Sequence, residues 1–296
     1  MVEASHLRDA GREARPGGGP LNRLALLCTF ALTTSALAQD AGGYSAGPGL
    51  GSPDYQTTIN APRLKSPVAT QDRLFAASRF WKLDPGRYEV EVWWDEKFYR
   101  NGEPSFSLLK LEIEIGLTRH IQLDLYQNFS LSQGQFNIDG NQFEIRYAFA
   151  AEYNEIPWNP VLYLEWYPRK GQQDRAEVRL LMGGDLGPTG LWAANLYAEG
   201  NVDYFKASYA EGFDGEFGAT ASASWPVIKD VMRLGAEVKG GVDQHGTPTF
   251  YASAFVGPNV LLTYRPAGLK LTATALFGLF SADPLVRLFV IAGWQF

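Results

Sequence analysis

The stretch LVRLFVIAGWQF, residues 285–296, decides the fold. Its alternate positions Val286, Leu288, Val290, Ala292, Trp294 and Phe296 form one unbroken apolar row. Side chains of a β-strand point to opposite faces in turn, so this row lies on a single face. The other face, with Arg287, Phe289, Ile291, Gly293 and Gln295, is only partly polar. Two environments fit such a row: the core of a soluble β-sandwich, or lipid, with Trp294 and Phe296 at the headgroup boundary.

The alternation recurs upstream. Tyr88, Val90, Val92 and Trp94 oppose Glu89, Glu91, Trp93 and Asp95, while Leu109, Leu111, Ile113 and Ile115 oppose Lys110, Glu112 and Glu114. Ile121, Leu123 and Leu125 oppose Gln122, Asp124 and Tyr126, and Phe143, Ile145, Tyr147 and Phe149 flank Glu144 and Arg146. Further alternating stretches centre on residues 162–166, 176–182, 192–198, 217–225, 232–238, 249–264, 269–280 and 285–296. Within the long stretch 249–264, Gly257-Pro258 predicts a bulge, because proline cannot donate to a ladder. The pattern predicts an all-β chain: a transmembrane antiparallel β-barrel of about twelve strands over residues 85–296, an even number as single-chain bacterial barrels have. If the first strand leaves the periplasm, the turns near 116–119, 152–159, 184–190, 226–230 and 265–268 are periplasmic. The turns near 99–103, 132–141, 168–174, 205–214, 243–247 and 281–284 then face outward. Trp94, Trp158, Trp166, Trp192, Trp225 and Trp294 fall near strand ends, as an interfacial aromatic belt requires.

Residues 1–38 read as an N-terminal extension and signal peptide. LNRLALLCTFALTTSALA, residues 21–38, has a basic Arg23, a short apolar core and a small-residue site, which predicts cleavage after Ala38. The core is shorter than the roughly 20 residues of a spanning helix. Residues 1–20 are foreign to such a leader and suggest translation from Leu21. Cys28, the sole cysteine, follows Leu27 rather than a small residue, so lipidation is not expected and the exported chain carries no thiol. Cleavage removes four arginines and three acidic residues, taking the net charge from −6 to −7 and leaving no basic footprint for nucleic acid. Residues 39–84, rich in Gly, Pro, Ser and Thr in their first part, read as a flexible periplasmic arm with a plug as its conceivable role. Deleting residues 39–78 should then raise single-channel conductance.

The polar rows supply the candidate pore-lining residues: Glu89, Glu91, Glu112, Glu114, Asp124, Glu144, Glu165, Glu177, Glu199 and Glu237, against Lys110, Arg146, Arg179, Arg233, Lys239, Lys270 and Arg287. Two roles are open, a charged conduction path or a lattice of ion pairs that cross-links a narrow wall. No catalytic residue emerges. GYSAG at 43–47 matches a nucleophile elbow but lacks the strand and helix that would expose the serine. His120 and His245 are far apart and no thiol accompanies them, so neither a metal site nor a cofactor is expected.

The segments DPGRYEVEVWW (84–94), LEIEIGLTRHIQLDLYQN (111–128), NPVLYLEWYP (159–168) and VGPNVLLTYRPAGLKLTATALFGLF (256–280) resemble outer-membrane barrel proteins of the MetA-pathway of phenol degradation family. The final strand is similar to the closing strand of bacterial outer-membrane barrels, which commonly end in phenylalanine. The resemblance implies a transporter or channel for a small solute, an aromatic or hydrophobic one being the suggested class. It also implies outer-membrane lipid as surroundings and barrel-assembly machinery as partner, with Trp294 and Phe296 as the insertion signal. The alternatives are an outer-membrane enzyme, a purely structural barrel, and a soluble periplasmic β-sandwich binding protein. A heat-shifted band in unboiled electrophoresis separates a closed barrel from the last of these.

Overall fold

The computed structural model describes residues 67–100, 105–132, 134–169, 173–202, 214–245 and 250–296. The leader, Cys28, the 43–47 motif, residues 39–66 of the arm and residues 205–213 lie outside the described residues. Twelve strands follow in order: β1 (Tyr88–Phe98), β2 (Phe106–Gly116), β3 (Ile121–Ser132), β4 (Gln135–Ala148), β5 (Val161–Tyr167), β6 (Asp174–Leu186), β7 (Gly190–Val202), β8 (Asp214–Ile228), β9 (Met232–His245), β10 (Phe250–Tyr264), β11 (Leu269–Gly278) and β12 (Val286–Gln295). Each pairs antiparallel with its sequence neighbours, and β12 returns to β1 to close the barrel. The seam runs from Glu89 opposite Gln295 to Phe98 opposite Val286. Closure leaves no strand edge with unpaired N–H and C=O groups, which hydrocarbon would not tolerate. A bidentate pair, Arg287 Nη2 to Asp95 Oδ2 at 2.5 Å and Nε to Oδ1 at 2.9 Å, spans this seam from inside.

The alternating rows separate as the sequence predicts. Val92, Leu196 and Phe217 are 51%, 55% and 52% exposed on the outer surface, with Leu164, Val178, Val238 and Leu271 in the same apolar band. Their neighbours Glu91, Asn195 and Glu237 are buried inside. An apolar band of this extent facing outward excludes the two-sheet sandwich, which would bury that face against a second sheet. Phe143 stacks on Trp166 at 5.7 Å and Trp294 meets Phe296 at 4.5 Å on this surface.

Two local expectations are corrected. The predicted outward loop at 132–141 is mostly strand: β4 begins at Gln135, and Phe136, Asn137 and Ile138 pair with Leu131, Ser130 and Phe129. Polar side chains around Asp139 do not stop backbone pairing. The irregularity there is a register shift at Asn128/Phe129, opposite Gly140, whose φ of +130° suits glycine alone. Gly257-Pro258 is not a bulge either, since Val256 opposite Phe277 and Asn259 opposite Thr274 keep one register. The proline-associated shift falls instead between Pro226 and Ile228 in β8.

The largest departure concerns the arm. Of residues 67–84, predicted as part of a flexible periplasmic segment, 70–83 are folded into the barrel interior, while Pro67 and Val68 stay exposed. A turn of 3-10 helix, Val68–Gln71, begins the segment, and Leu74, Phe75, Phe80, Trp81 and Leu83 are all buried. This sequence has no regular period because its contacts are with the surrounding wall, not within an element of its own.

The occupied lumen

The interior wall has two chemically different arcs, and the inserted segment matches both. On one side, Leu74, Phe75, Phe80 and Trp81 pack against Ala148, Val161, Leu181, Leu191, Ala193 and Leu261. Gly183 leaves room for this: a Cβ there would lie 2.2 Å from the Phe80 ring. Tyr153, in the turn before β5, meets Phe80 and Trp81 edge-on at 6.0 and 5.8 Å, covering this end of the lumen.

On the other side, β1 to β4 present Glu89, Glu91, Glu112, Glu114, Asp124 and Glu144, all buried. Arg73 enters this arc with Nη2 2.7 Å from Glu91 and 3.0 Å from Glu112, its guanidinium 4.1 Å from the centre of the Trp93 ring. Arg79 donates to Glu112 and Glu114, both at 3.2 Å, and to the Tyr126 hydroxyl at 3.0 Å. From the wall itself, Arg146 reaches Asp124 at 2.8 Å and Glu144 at 2.5 Å, and Lys270 reaches Glu89 at 2.7 Å. Buried carboxylates are tolerated only with such partners. Two carboxylate triads, Glu91/Glu112/Glu114 and Glu112/Asp124/Glu144, are close enough to share a cation, and guanidinium groups occupy that role.

The bend of the segment is held by Glu237 of β9. Its carboxylate accepts the backbone N–H groups of Ala76, Ala77 and Ser78 at 2.9, 2.8 and 3.3 Å, with Thr274 Oγ1 donating at 2.5 Å. Three consecutive amides aimed at one carboxylate form a small anion nest. Ser78 Oγ donates to Thr220 Oγ1 at 2.9 Å, and Asn195 bonds both the N–H and the C=O of Arg79 at 2.7 and 2.8 Å. Nearer the rim that carries Gln295, Arg265 clasps Asp72 at 2.5 and 2.8 Å and Gln122 accepts the Leu83 N–H at 2.6 Å. Burial holds the Lys82 ammonium below the usual lysine pKa, partly offset by Asp84 and Glu152.

Nine of the seventeen candidates therefore touch this segment or the ion-pair cluster around it: Glu89, Glu91, Glu112, Glu114, Asp124, Glu144, Arg146, Glu237 and Lys270. Arg233 stands apart at the rim and donates to Ser224 and to the Thr189 carbonyl. The remaining seven lie on the lumen face beyond the segment. There Arg179 Nη2 donates to Glu177 Oε2 at 2.8 Å beside the Tyr163 and Tyr197 rings, and Lys239 pairs with Glu216 at 3.0 Å. Glu199 pairs with Arg175 at 3.0 Å, Glu165 accepts from Tyr163, Lys110 lies over Tyr126, and Arg287 pairs with Asp95. His120 at the rim turn stacks on Tyr147, with Nδ1 2.8 Å from the Ala148 carbonyl oxygen. The residues that sequence reading missed are Arg73 and Arg79. Two signals pointed to them: an acidic surplus on the wall without matching bases in the strands, and the pairs Leu74-Phe75 and Phe80-Trp81, too apolar for a solvated arm.

The sequence matches no family model and no curated protein. Among solved structures, an outer membrane channel from Pseudomonas putida F1 aligns with a TM-score of 0.50 and 14% identity, over 73% of this chain and 98% of that one. The NanC porin aligns with a TM-score of 0.47 and 10% identity, over 70% of this chain and 97% of that one. At such identities the first likeness speaks for the fold. The closed twelve-stranded ring and its apolar outer band are the fold of a bacterial outer-membrane β-barrel.

Proposed function

We propose that this chain is a passive outer-membrane channel for a small solute, with its own residues 67–84 as the removable obstruction of the lumen. One observation carries this: the segment fills the lumen through side-chain hydrogen bonds, ion pairs and packing on the wall, and none of the strand ladders includes it. The rim with Gln295 faces the periplasm in this proposal, so the obstruction enters from the periplasmic side. The charged residues beyond it, Glu177, Arg179 and Lys239 among them, line the outer half of the path. The aromatic or hydrophobic solute implied by the family resemblance would have two apolar seats in the lumen, where Trp93, Phe255 and Phe289 cluster around Ala76 and where Val161, Leu181 and Leu261 pack on the segment.

A reversible lock tests the proposal. Ser78 and Thr220 hydroxyls are 2.9 Å apart, which suits a disulfide in the Ser78→Cys/Thr220→Cys variant. Oxidised, this variant should show no conducting events in planar bilayers, and reduction should restore those of the parent. A parent that never conducts would favour a structural barrel instead. Equal conductance of the oxidised and reduced variant would show that the segment does not gate.

A further inference from the structure

Arg73 and Arg79 sit in the wall as ligands sit in a receptor. Each guanidinium has carboxylates on its donor edge, they share Glu112 through its two oxygens, and both face Trp93, at 4.1 and 5.4 Å from the ring centre. Carboxylates that match the guanidinium fork, together with an aromatic face, make a complete seat for an organic cation. The seat belongs to β1, β2 and β3, whose ladders do not depend on the inserted segment. It is also incompletely filled. A void of about 30 Å³ borders Arg73, Glu89, Glu91 and Glu114, large enough for water. Arg73 Nη1 and Glu89 Oε1, both deeply buried, have no hydrogen-bond partner among the described residues.

We propose that this double seat is the channel's solute-binding site, and that its solute is a small organic cation bearing guanidinium or primary ammonium groups that competes with Arg73 and Arg79. This rests on the channel proposal and names its substrate class. Withdrawal of the segment alone would leave Glu91 and Glu112 without their arginine partners and Glu114 with Arg146 at 3.5 Å, three clustered carboxylates whose mutual repulsion disfavours opening. A solute cation that replaces the two arginines removes that penalty. It binds only the withdrawn state, so it shifts the equilibrium toward opening. A solute with two cationic groups matches two seats that share a carboxylate, and once the segment leaves, the Trp93 face is free for its hydrocarbon part.

Agmatine, which has a guanidinium at one end and an ammonium at the other, is the probe. The full exported chain in planar bilayers should open more often as agmatine is added on the side of the Gln295 rim, with a saturable dose response, and Glu112→Gln should shift that response at least about tenfold to higher concentration. Arg73→Gln/Arg79→Gln should open without agmatine and bind it more tightly than the parent in calorimetry on detergent-solubilised protein. Heat-shifted bands confirm that each variant is folded, and Glu91→Gln replaces Glu112→Gln if the latter fails this check. If agmatine does no more than sodium or calcium chloride of equal ionic strength while the Ser78–Thr220 lock still gates, the inference falls and the channel proposal stands. If neither lock nor agmatine alters a silent barrel, both fall.

Discussion

On the proposed channel function, Glu237→Ala should raise the open fraction by roughly 30- to 900-fold. The substitution removes the acceptor of three consecutive amides at the bend of the inserted segment, along with the Thr274 contact. Hydrogen bonds to a charged group contribute about 1.5–3 kcal/mol each, and amides left buried without partners carry their own desolvation penalty. Water can follow the loosened bend and recover part of this, so a net of about 2–4 kcal/mol in favour of withdrawal is the expectation, which converts to the stated range. The Glu237 side chain points into the lumen, and its backbone pairing with Ser222 and Gly257 is kept by alanine, so the heat-shifted band should persist. Single-channel recording reads the change. An unchanged open fraction with an intact band would mean that the nest does not hold the segment.

Gly257→Ala should prevent the barrel from closing. A Cβ at this position would lie 1.7 Å from the Ala275 carbonyl oxygen and 2.7 Å from its carbon, both backbone atoms of the adjacent strand. Neither can move without parting β10 from β11, next to Pro258, which already lacks an N–H for the ladder. The penalty is about 3–5 kcal/mol, comparable to the whole stability of many domains. Unboiled electrophoresis of outer-membrane fractions should show little or no compact band. Gly240→Ala is the matched control, because its Cβ would meet only the Ser253 carbonyl oxygen at 3.7 Å, an ordinary contact. Equal folding of the two variants would contradict the close approach at Gly257.

Much of the architecture was legible because a β-barrel writes itself in period two. The outward row of β12 and the acidic row of β1 and β2 are assigned from alternation alone, as each residue's face follows from its parity in the strand. Lengths were less legible: β4 reaches back to Gln135 through polar residues because backbone pairing there needs no apolar face. The lumen site was half legible. Its carboxylates could be named, but the cations that complete them come from a stretch with no period. Glu112 meets Arg73 and Arg79 across 39 and 33 residues of chain.

The sequence by itself determined the number of strands and their sorting into an apolar row and an acid-rich row, since alternation with period two is a local property, while the closed ring decided that the apolar rows face outward. Only the tertiary structure decided that the wall's surplus charge is answered by Arg73 and Arg79, and that Glu237 anchors residues 76–78. Those are contacts between groups far apart in the chain, and they exist only once the closed ring brings a carboxylate arc and an apolar arc to face the same inserted segment.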